Sequence, residues 1–314
     1  MPPRKTAERW LEDHLRDLRA WGDAASKVRP DVRHEYGLHT AFKLCALKHI
    51  MDVFTVVAAA RVNGGEFDGM VYLDLFSGCG VNRLPETGDW LAGSPLIAAN
   101  AKRPFDQIVG VESKKKNRDV LLRRLGTAAT KTKIIRGDCN EVTEEIIDSV
   151  AYRKPLVLAF VDPEGMEAYW ETLERLSDNF EYMDLVINLT AGTKREMGAL
   201  MKTGKSADKM ERFTGLDLHE LFGGYGGDID VAYTDRVRLV LGKSRVSSIP
   251  IGDSRGQLAY HLLVSTRHTA GQSPFANAYD EVVNRIGKLT VSHVEGALNR
   301  IKGRDISSIM QRLR

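Results

Sequence analysis

Val71-Tyr72-Leu73-Asp74-Leu75-Phe76-Ser77-Gly78-Cys79-Gly80 is the stretch on which the rest of the chain turns. Strand-forming residues flank a carboxylate and run into two glycines, which let the backbone bend sharply and approach a ligand closely. The pattern predicts a strand over 71–75 that carries Asp74 to its carboxyl end, and ligands of open parallel α/β sheets bind just outside those ends. A dinucleotide loop would read G-x-G-x-x-G. Here Gly78-x-Gly80 is followed by Arg83 where the third small residue belongs, which weakens a nicotinamide reading. A carboxylate four residues ahead of the first glycine repels phosphate and suits a cationic end, such as the ammonium of S-adenosylmethionine.

At 314 residues the chain is long enough for one large α/β domain with additions or for two small ones. Hydrophobic residues make up 43% and charged residues 28%, with a formal charge of +3, so charge alone argues for no nucleic-acid role. The basic residues are uneven, however: Lys114-Lys115-Lys116 and the stretch 194–212 can form a basic face. Cys45, Cys79 and Cys139 are far apart and match no metal-binding or disulfide spacing, so they read as reduced thiols and no metal site is expected. The start Met1-Pro2-Pro3-Arg4-Lys5 leads into charged sequence without an apolar core, and no apolar run is long enough to span a bilayer. The expectation is a soluble, cytoplasmic protein that engages no membrane.

Around the opening stretch, the chain divides into an N-terminal helical arm (1–62), an α/β domain (63–290) with a helical insertion (191–228), and a C-terminal helical tail (291–314). Residues 6–21 have the spacing of a charged amphipathic helix. A second helix over 40–61 repeats Leu44, Leu47, Met51, Phe54 and Ala58 as one buried stripe, with His34, His39, Lys43, Lys48 and His49 around its start. Gly93-Ser94-Pro95-Leu96 signals a helix start, Ser94 as cap and Pro95 at the first helical position.

Strands are expected at 107–111, 133–136, 155–161 and 183–189, alternating with helices. Counting the strand over 71–75 as the first, the second ends in Glu112, placed to accept from both ribose hydroxyls of an adenosine. The third runs into Gly137-Asp138-Cys139, where the Asp138 carboxylate can accept from an adenine amino group and the neighbouring backbone N–H can serve a ring nitrogen. The fourth is apolar throughout, as in a central parallel strand, and ends in Asp162-Pro163-Glu164-Gly165. Proline fixes that turn, so Asp162 and nearby carbonyls stand as rigid acceptors for the N–H of a substrate amine. Asn188 lies near the end of the fifth strand. Residues 191–228 then carry Lys194, Arg195, Lys202, Lys205, Lys209 and Arg212 and close in Gly223-Gly224-Tyr225-Gly226-Gly227, read as a helical insertion with a flexible glycine segment over the catalytic face. Two more strands are expected at 237–241 and 258–265, with a helix over 275–286.

Taken together, Asp74-x-Phe76-x-Gly78-x-Gly80, Glu112, Gly137-Asp138 and Asp162-Pro163-x-Gly165 resemble the class I S-adenosylmethionine-dependent methyltransferases. The His- and Lys-bearing helix before the first strand, the Gly93-Ser94-Pro95-Leu96 step and Tyr260-His261-Leu262-Leu263-Val264-Ser265-Thr266-Arg267-His268 look more narrowly like the three-Cys-motif partner proteins, over residues 34–290. That family usually has Phe after Asp-Pro, where Glu164 stands here. The resemblance implies a doubly wound, mostly parallel seven-stranded sheet with its last strand antiparallel, S-adenosyl-L-methionine across the ends of strands one to three, and a partner carrying a three-cysteine motif.

The site expected from these readings comprises Asp74, Phe76, Gly78, Gly80, Glu112, Asp138 and Cys139 around the cofactor, and Asp162, Pro163 and Glu164 at the methyl acceptor. Lys194, Arg195, Lys205 and Lys209 are expected along the substrate. The leading reading is methylation of a nitrogen on a nucleic-acid base, a flipped base needing an aromatic such as Phe160, Tyr169 or Tyr225 to stack on. The alternatives are methylation of a small molecule or protein side chain, and a partner subunit that binds the cofactor without chemistry.

Overall fold

The computed structural model describes residues 6–126, 130–190, 207–242, 245–253, 255–266 and 274–312. Its strands in chain order are β1 (His34–Glu35), β2 (Gly69–Asp74), β3 (Val81–Arg83), β4 (Trp90–Ala92), β5 (Gln107–Val111), β6 (Lys131–Ile135), β7 (Pro155–Val161), β8 (Met183–Thr190), β9 (Arg245–Gly252) and β10 (Leu258–Thr266). The helices are α1 (Ala7–Ser26), α2 (Thr40–Asn63), α3 (Ser94–Ala99), α4 (Lys115–Leu125), α5 (Thr143–Ser149), α6 (Trp170–Asn179), α7 (Ala207–Thr214), α8 (Leu218–Tyr225), α9 (Ile229–Leu239), α10 (Pro274–Ile286) and α11 (Val291–Arg312).

Seven strands form one sheet in the order β6-β5-β2-β7-β8-β10-β9. All neighbours pair in parallel from β6 to β8, while β10 runs antiparallel to both β8 and β9. This is the mixed α/β, doubly wound architecture expected, with its last strand reversed. Side-chain alternation divides the core in two. Met70, Tyr72, Ile108 and Leu158 join a cluster with α1–α4, α10 and α11, whereas Val71, Leu73, Val109 and Val157 face α5–α9. The strand over 155–161 is buried along its whole length between β2 and β8.

Several local expectations need correction. The apolar run 237–241 is expected from sequence as a strand, but Ile229, Ala232, Tyr233 and Val237 are buried at helical spacing in α9 while Leu239 stays exposed. The sixth strand is instead β9, whose polar sequence and Pro250 hide it; it lies at the sheet edge, where proline is tolerated. Gly223–Gly227 is no open glycine segment. Gly223 and Gly224 belong to α8, and Gly226, at φ 57°, closes it, with Gly226 and Gly227 N–H donating to Phe222 and Leu221 carbonyls. In α2 the expected stripe Leu44, Leu47, Met51, Phe54 and Ala58 is buried, and residues 40–48 are buried all round, Lys43 and Lys48 included, because α1, α3, α10 and the sheet enclose the helix.

A second, three-stranded sheet positions the site. β1 pairs in parallel with β3, which pairs antiparallel with β4, so His34 lies opposite Asn82 just after the glycine loop.

Candidate active-site cleft

The carboxyl ends of β2, β5, β6 and β7 open into one cleft of about 260 Å³. Phe76, Gly78, Gly80, Glu112, Asp138, Cys139, Asp162 and Glu164 line it, together with His34, Tyr36, Lys43 and Ser94. Gly78 (φ 61°) and Gly80 (φ 87°) hold conformations that a side chain disfavours, and a Cβ on Gly80 would come within 2.8 Å of Leu121 Cδ1. The loop thus brings bare backbone to the cleft wall.

Asp74 is not on that wall. It is wholly buried beneath the loop, where its carboxylate accepts from the Tyr72 hydroxyl (3.1 Å) and the Phe76 N–H (3.2 Å). Burial pushes its pKa up to about 7, against the pull of hydrogen bonds from Ser94, Phe76 and Tyr72. The direct meeting with a cofactor ammonium expected from sequence gives way to a supporting role. Ser94 is corrected with it: Gly93 occupies the cap position of α3 without a side-chain bond, and the Ser94 hydroxyl serves Asp74.

Glu112 is 8% exposed, and its Oε1 accepts from the Lys114 N–H at 2.7 Å and Asn117 Nδ2 at 3.5 Å. Its Oε2 has no protein donor among the described residues. Asp138, on the exposed turn after β6, uses Oδ1 for the Asn140 N–H and side-chain amide. Cys139 beside it is buried, which pushes its thiol up to about 12 and keeps it protonated at neutral pH. Cys79, within the glycine loop, behaves otherwise. Burial opposes its thiolate, but His34, the Val81 backbone and Arg124 together hold its pKa below the usual thiol value.

On the other side of the cleft, Lys43 Nζ reaches both oxygens of Asp162, at 2.8 and 2.7 Å. Asn188 Nδ2 donates to Asp162 Oδ1 at 2.7 Å. The Lys43 ammonium also stands 5.9 Å from the Tyr36 ring and 5.5 Å from the Tyr260 ring. Pro163 is buried behind the turn, and Glu164 is exposed, accepting from the Tyr36 hydroxyl at 3.2 Å. Sequence reasoning sets Lys43 near a ligand mouth but does not pair it with Asp162. The signal present is a lysine inside an apolar helical turn, which needs a buried partner.

Of the expected substrate residues, Lys194, Arg195 and Lys205 lie outside the described residues, as does Lys202. Lys209 lies on α7, 4.0 Å from Glu167 on the cleft rim. On the same helix the Arg212 guanidinium covers the Tyr169 ring at 3.7 Å.

No family model matches this sequence, and no curated protein matches it. Among solved structures, protein LPL1258 from Legionella pneumophila aligns with a TM-score of 0.47 at 12% identity, over 76% of this chain and 92% of its own. Trm1 from Pyrococcus horikoshii, solved with S-adenosyl-L-methionine, aligns with a TM-score of 0.37 at 14% identity, over 76% of this chain and 57% of its own. The O-methyltransferase TomG from Streptomyces achromogenes, also solved with S-adenosyl-L-methionine, gives 0.39 at 12% identity, over 81% and 99%. These are similarities of chain path, at identities too low to carry a reaction or a ligand from one protein to another.

Proposed function

We propose that the cleft binds S-adenosyl-L-methionine and that the chain transfers its methyl group to a nitrogen of a nucleic-acid base. The observation that supports this most is the convergence of Glu112, Asp138 and Asp162, each just past the end of its strand, on one cleft with the glycine loop. The residues suit the cofactor. Glu112 offers an unused carboxylate oxygen to the ribose hydroxyls, and Asp138 with the Cys139 backbone suits the adenine edge. The open backbone of Gly78–Gly80 accommodates the methionine portion without a side chain in the way.

When bound, the cofactor supplies an electrophilic methyl: the acceptor nitrogen's lone pair bonds the carbon, the C–S pair returns to sulfur, and the surplus proton passes to solvent. The chain's contribution is to orient the acceptor and to keep the sulfonium away from water. Asp162, neutralised by Lys43, adds acceptors on the substrate side without leaving an isolated negative charge. Lys209 and Arg212, on α7 against Glu167 and Tyr169, supply cations for a phosphate backbone.

A second reading is methylation of a small molecule or protein side chain. It is favoured by the acidic residues Asp31, Glu35 and Glu164, which border the open annex of the cleft with Arg33. Glu164 in the Asp-Pro turn likewise favours a cofactor-binding subunit without chemistry, and the likeness to three-Cys-motif partner proteins would add a partner carrying that motif. Incubation with tritiated S-adenosyl-L-methionine and separate DNA, RNA and protein pools tests these readings. Label on a base nitrogen supports the first; label on protein alone, or binding of the cofactor without transfer to any pool, overturns it.

A further inference from the structure

We infer that Arg124 is a positioning residue, which holds the glycine loop in the conformation that receives the amino-acid end of the cofactor. The inference rests on the S-adenosyl-L-methionine reading of the cleft. Arg124 lies in the last turn of α4, 9% exposed and outside the residues that line the cleft. Its guanidinium donates in two directions. Nη1 meets the Cys79 carbonyl, within the loop, at 2.7 Å. Nε and Nη2 meet the Val28 carbonyl at 3.1 and 2.9 Å, and Nη2 also meets the carbonyls of Arg29 at 3.0 Å and Val32 at 2.8 Å. A planar fork of N–H donors can bridge two such segments at once, whereas a lysine ammonium, a single point charge, cannot span them.

The bond to Cys79 fixes more than one atom. The peptide between Cys79 and Gly80 is trans, so its N–H points opposite to its C=O. With the carbonyl drawn to Arg124, the Gly80 N–H is turned away from α4. The loop is seated on that helix, where a Cβ on Gly80 would meet Leu121 Cδ1 at 2.8 Å, and Gly80 lines the cleft, so the side facing away from α4 is the cleft side. An N–H held there is a fixed donor for the carboxylate of the methionine portion, with the guanidinium charge behind it. The second grip acts through β1. Residues 28–32 turn at Arg29, which at φ 54° is the one non-glycine residue in the left-handed region among the described residues, and lead into β1. His34 of β1 lies against the loop, where a Cβ on Gly78 would stand 3.1 Å from His34 Nε2. Arg124 thus holds the loop directly at Cys79 and, through the segment it anchors, at Gly78. Its loss frees the Cys79–Gly80 peptide to rotate, while the adenosine end keeps the separate supports of Glu112 and Asp138.

Two ligands separate this role from general support of the fold. S-adenosylhomocysteine carries the amino-acid end and 5′-methylthioadenosine lacks it; both are titrated calorimetrically into the full-length wild type, Arg124→Met and Arg124→Lys. The wild type is expected to bind S-adenosylhomocysteine at least roughly tenfold more tightly than 5′-methylthioadenosine. Arg124→Met is expected to lose roughly ten- to a hundredfold in affinity for S-adenosylhomocysteine and less than about threefold for 5′-methylthioadenosine, with a smaller loss of the same preference in Arg124→Lys. Losses in equal proportion for the two ligands overturn the inference, because Arg124 then supports the cleft as a whole. Unchanged affinities in both variants overturn it as well. Equal binding of the two ligands by the wild type overturns it without any variant, while the adenosine part of the cofactor reading stands. If Arg124→Met shows no folded transition in urea, Arg124→Lys decides by the same criteria. Failure of S-adenosylhomocysteine to bind the wild type overturns the cofactor reading and the inference together.

Discussion

Replacing Lys43 with Met should unsettle the cleft more than the loss of an ordinary lysine, because it strands Asp162. The two side chains are 11% and 22% exposed, and the ammonium reaches both carboxylate oxygens at 2.7–2.8 Å. Removing one member of a buried pair typically costs about 3–5 kcal/mol. Asp162 keeps the Asn188 amide and some solvent, which reduces the expected loss to about 2–3 kcal/mol. Asp162→Asn is expected to cost about 1–3 kcal/mol, since the stranded Lys43 retains Tyr36 and Tyr260 as cation–π partners. The double variant Lys43→Met/Asp162→Asn buries no charge, and Met follows the lysine stem between the two rings. It should therefore recover part of the loss, giving a coupling energy of about 2–3 kcal/mol. Urea unfolding of the four proteins at pH 7 completes the cycle. A coupling below roughly 0.5 kcal/mol would mean the pair acts like an exposed surface bridge and would refute the reasoning.

Two groups, one half-buried and one buried, set opposing pH dependences. Desolvation of the half-buried His14 ring, with Lys48 beside it, lowers its pKa to about 3 in the fold, so the unfolded chain binds its proton first and stability is lost as pH falls from 6.5 toward 3; His14→Gln should flatten this limb of a thermal-melt series. Asp74, raised to about 7, binds its proton more tightly when folded than the ordinary 3.8, so its contribution is present at low pH and lost as pH rises through 7; Asp74→Asn should remove that slope in the same series. Gly80→Ala imposes a side chain at φ 87° against Leu121 and should cost about 1–2 kcal/mol in urea unfolding while weakening cofactor binding. If α7 lies along a phosphate backbone, Lys209→Ala/Arg212→Ala should reduce the magnitude of the log–log salt slope of RNA or DNA binding by about 1–2 units, whereas charges that only face solvent leave it unchanged.

What is legible in the sequence follows from periodicity and turn chemistry. The apolar runs locate the parallel strands β2, β5, β7 and β8, because strands buried on both faces leave an unbroken hydrophobic record. The glycine pair and the acidic strand ends mark the edge at which the cleft opens. Less legible are features created by contacts distant in sequence. Lys43 and Asp162 are 119 positions apart, and nothing local announces their pairing. Asp74 reads as a ligand-facing carboxylate because spacing gives its strand position but not the Tyr72 and Ser94 hydroxyls that enclose it. β9 escapes detection because an edge strand with one polar face and a proline lacks the strong apolar signal of the central strands. His34 and Tyr36 reach the cleft through the small β1–β3–β4 sheet, whose strands are too short to show a period.

The central claim, that this cleft holds S-adenosyl-L-methionine through its acidic strand ends, is tested most directly by calorimetric titration of S-adenosylhomocysteine into the wild type and Glu112→Ala. Charge-assisted hydrogen bonds contribute about 1.5–3 kcal/mol, so one-to-one binding by the wild type and a loss of roughly ten- to a hundredfold in the variant are predicted. No binding by the wild type, or equal affinity in the two proteins, would contradict the account.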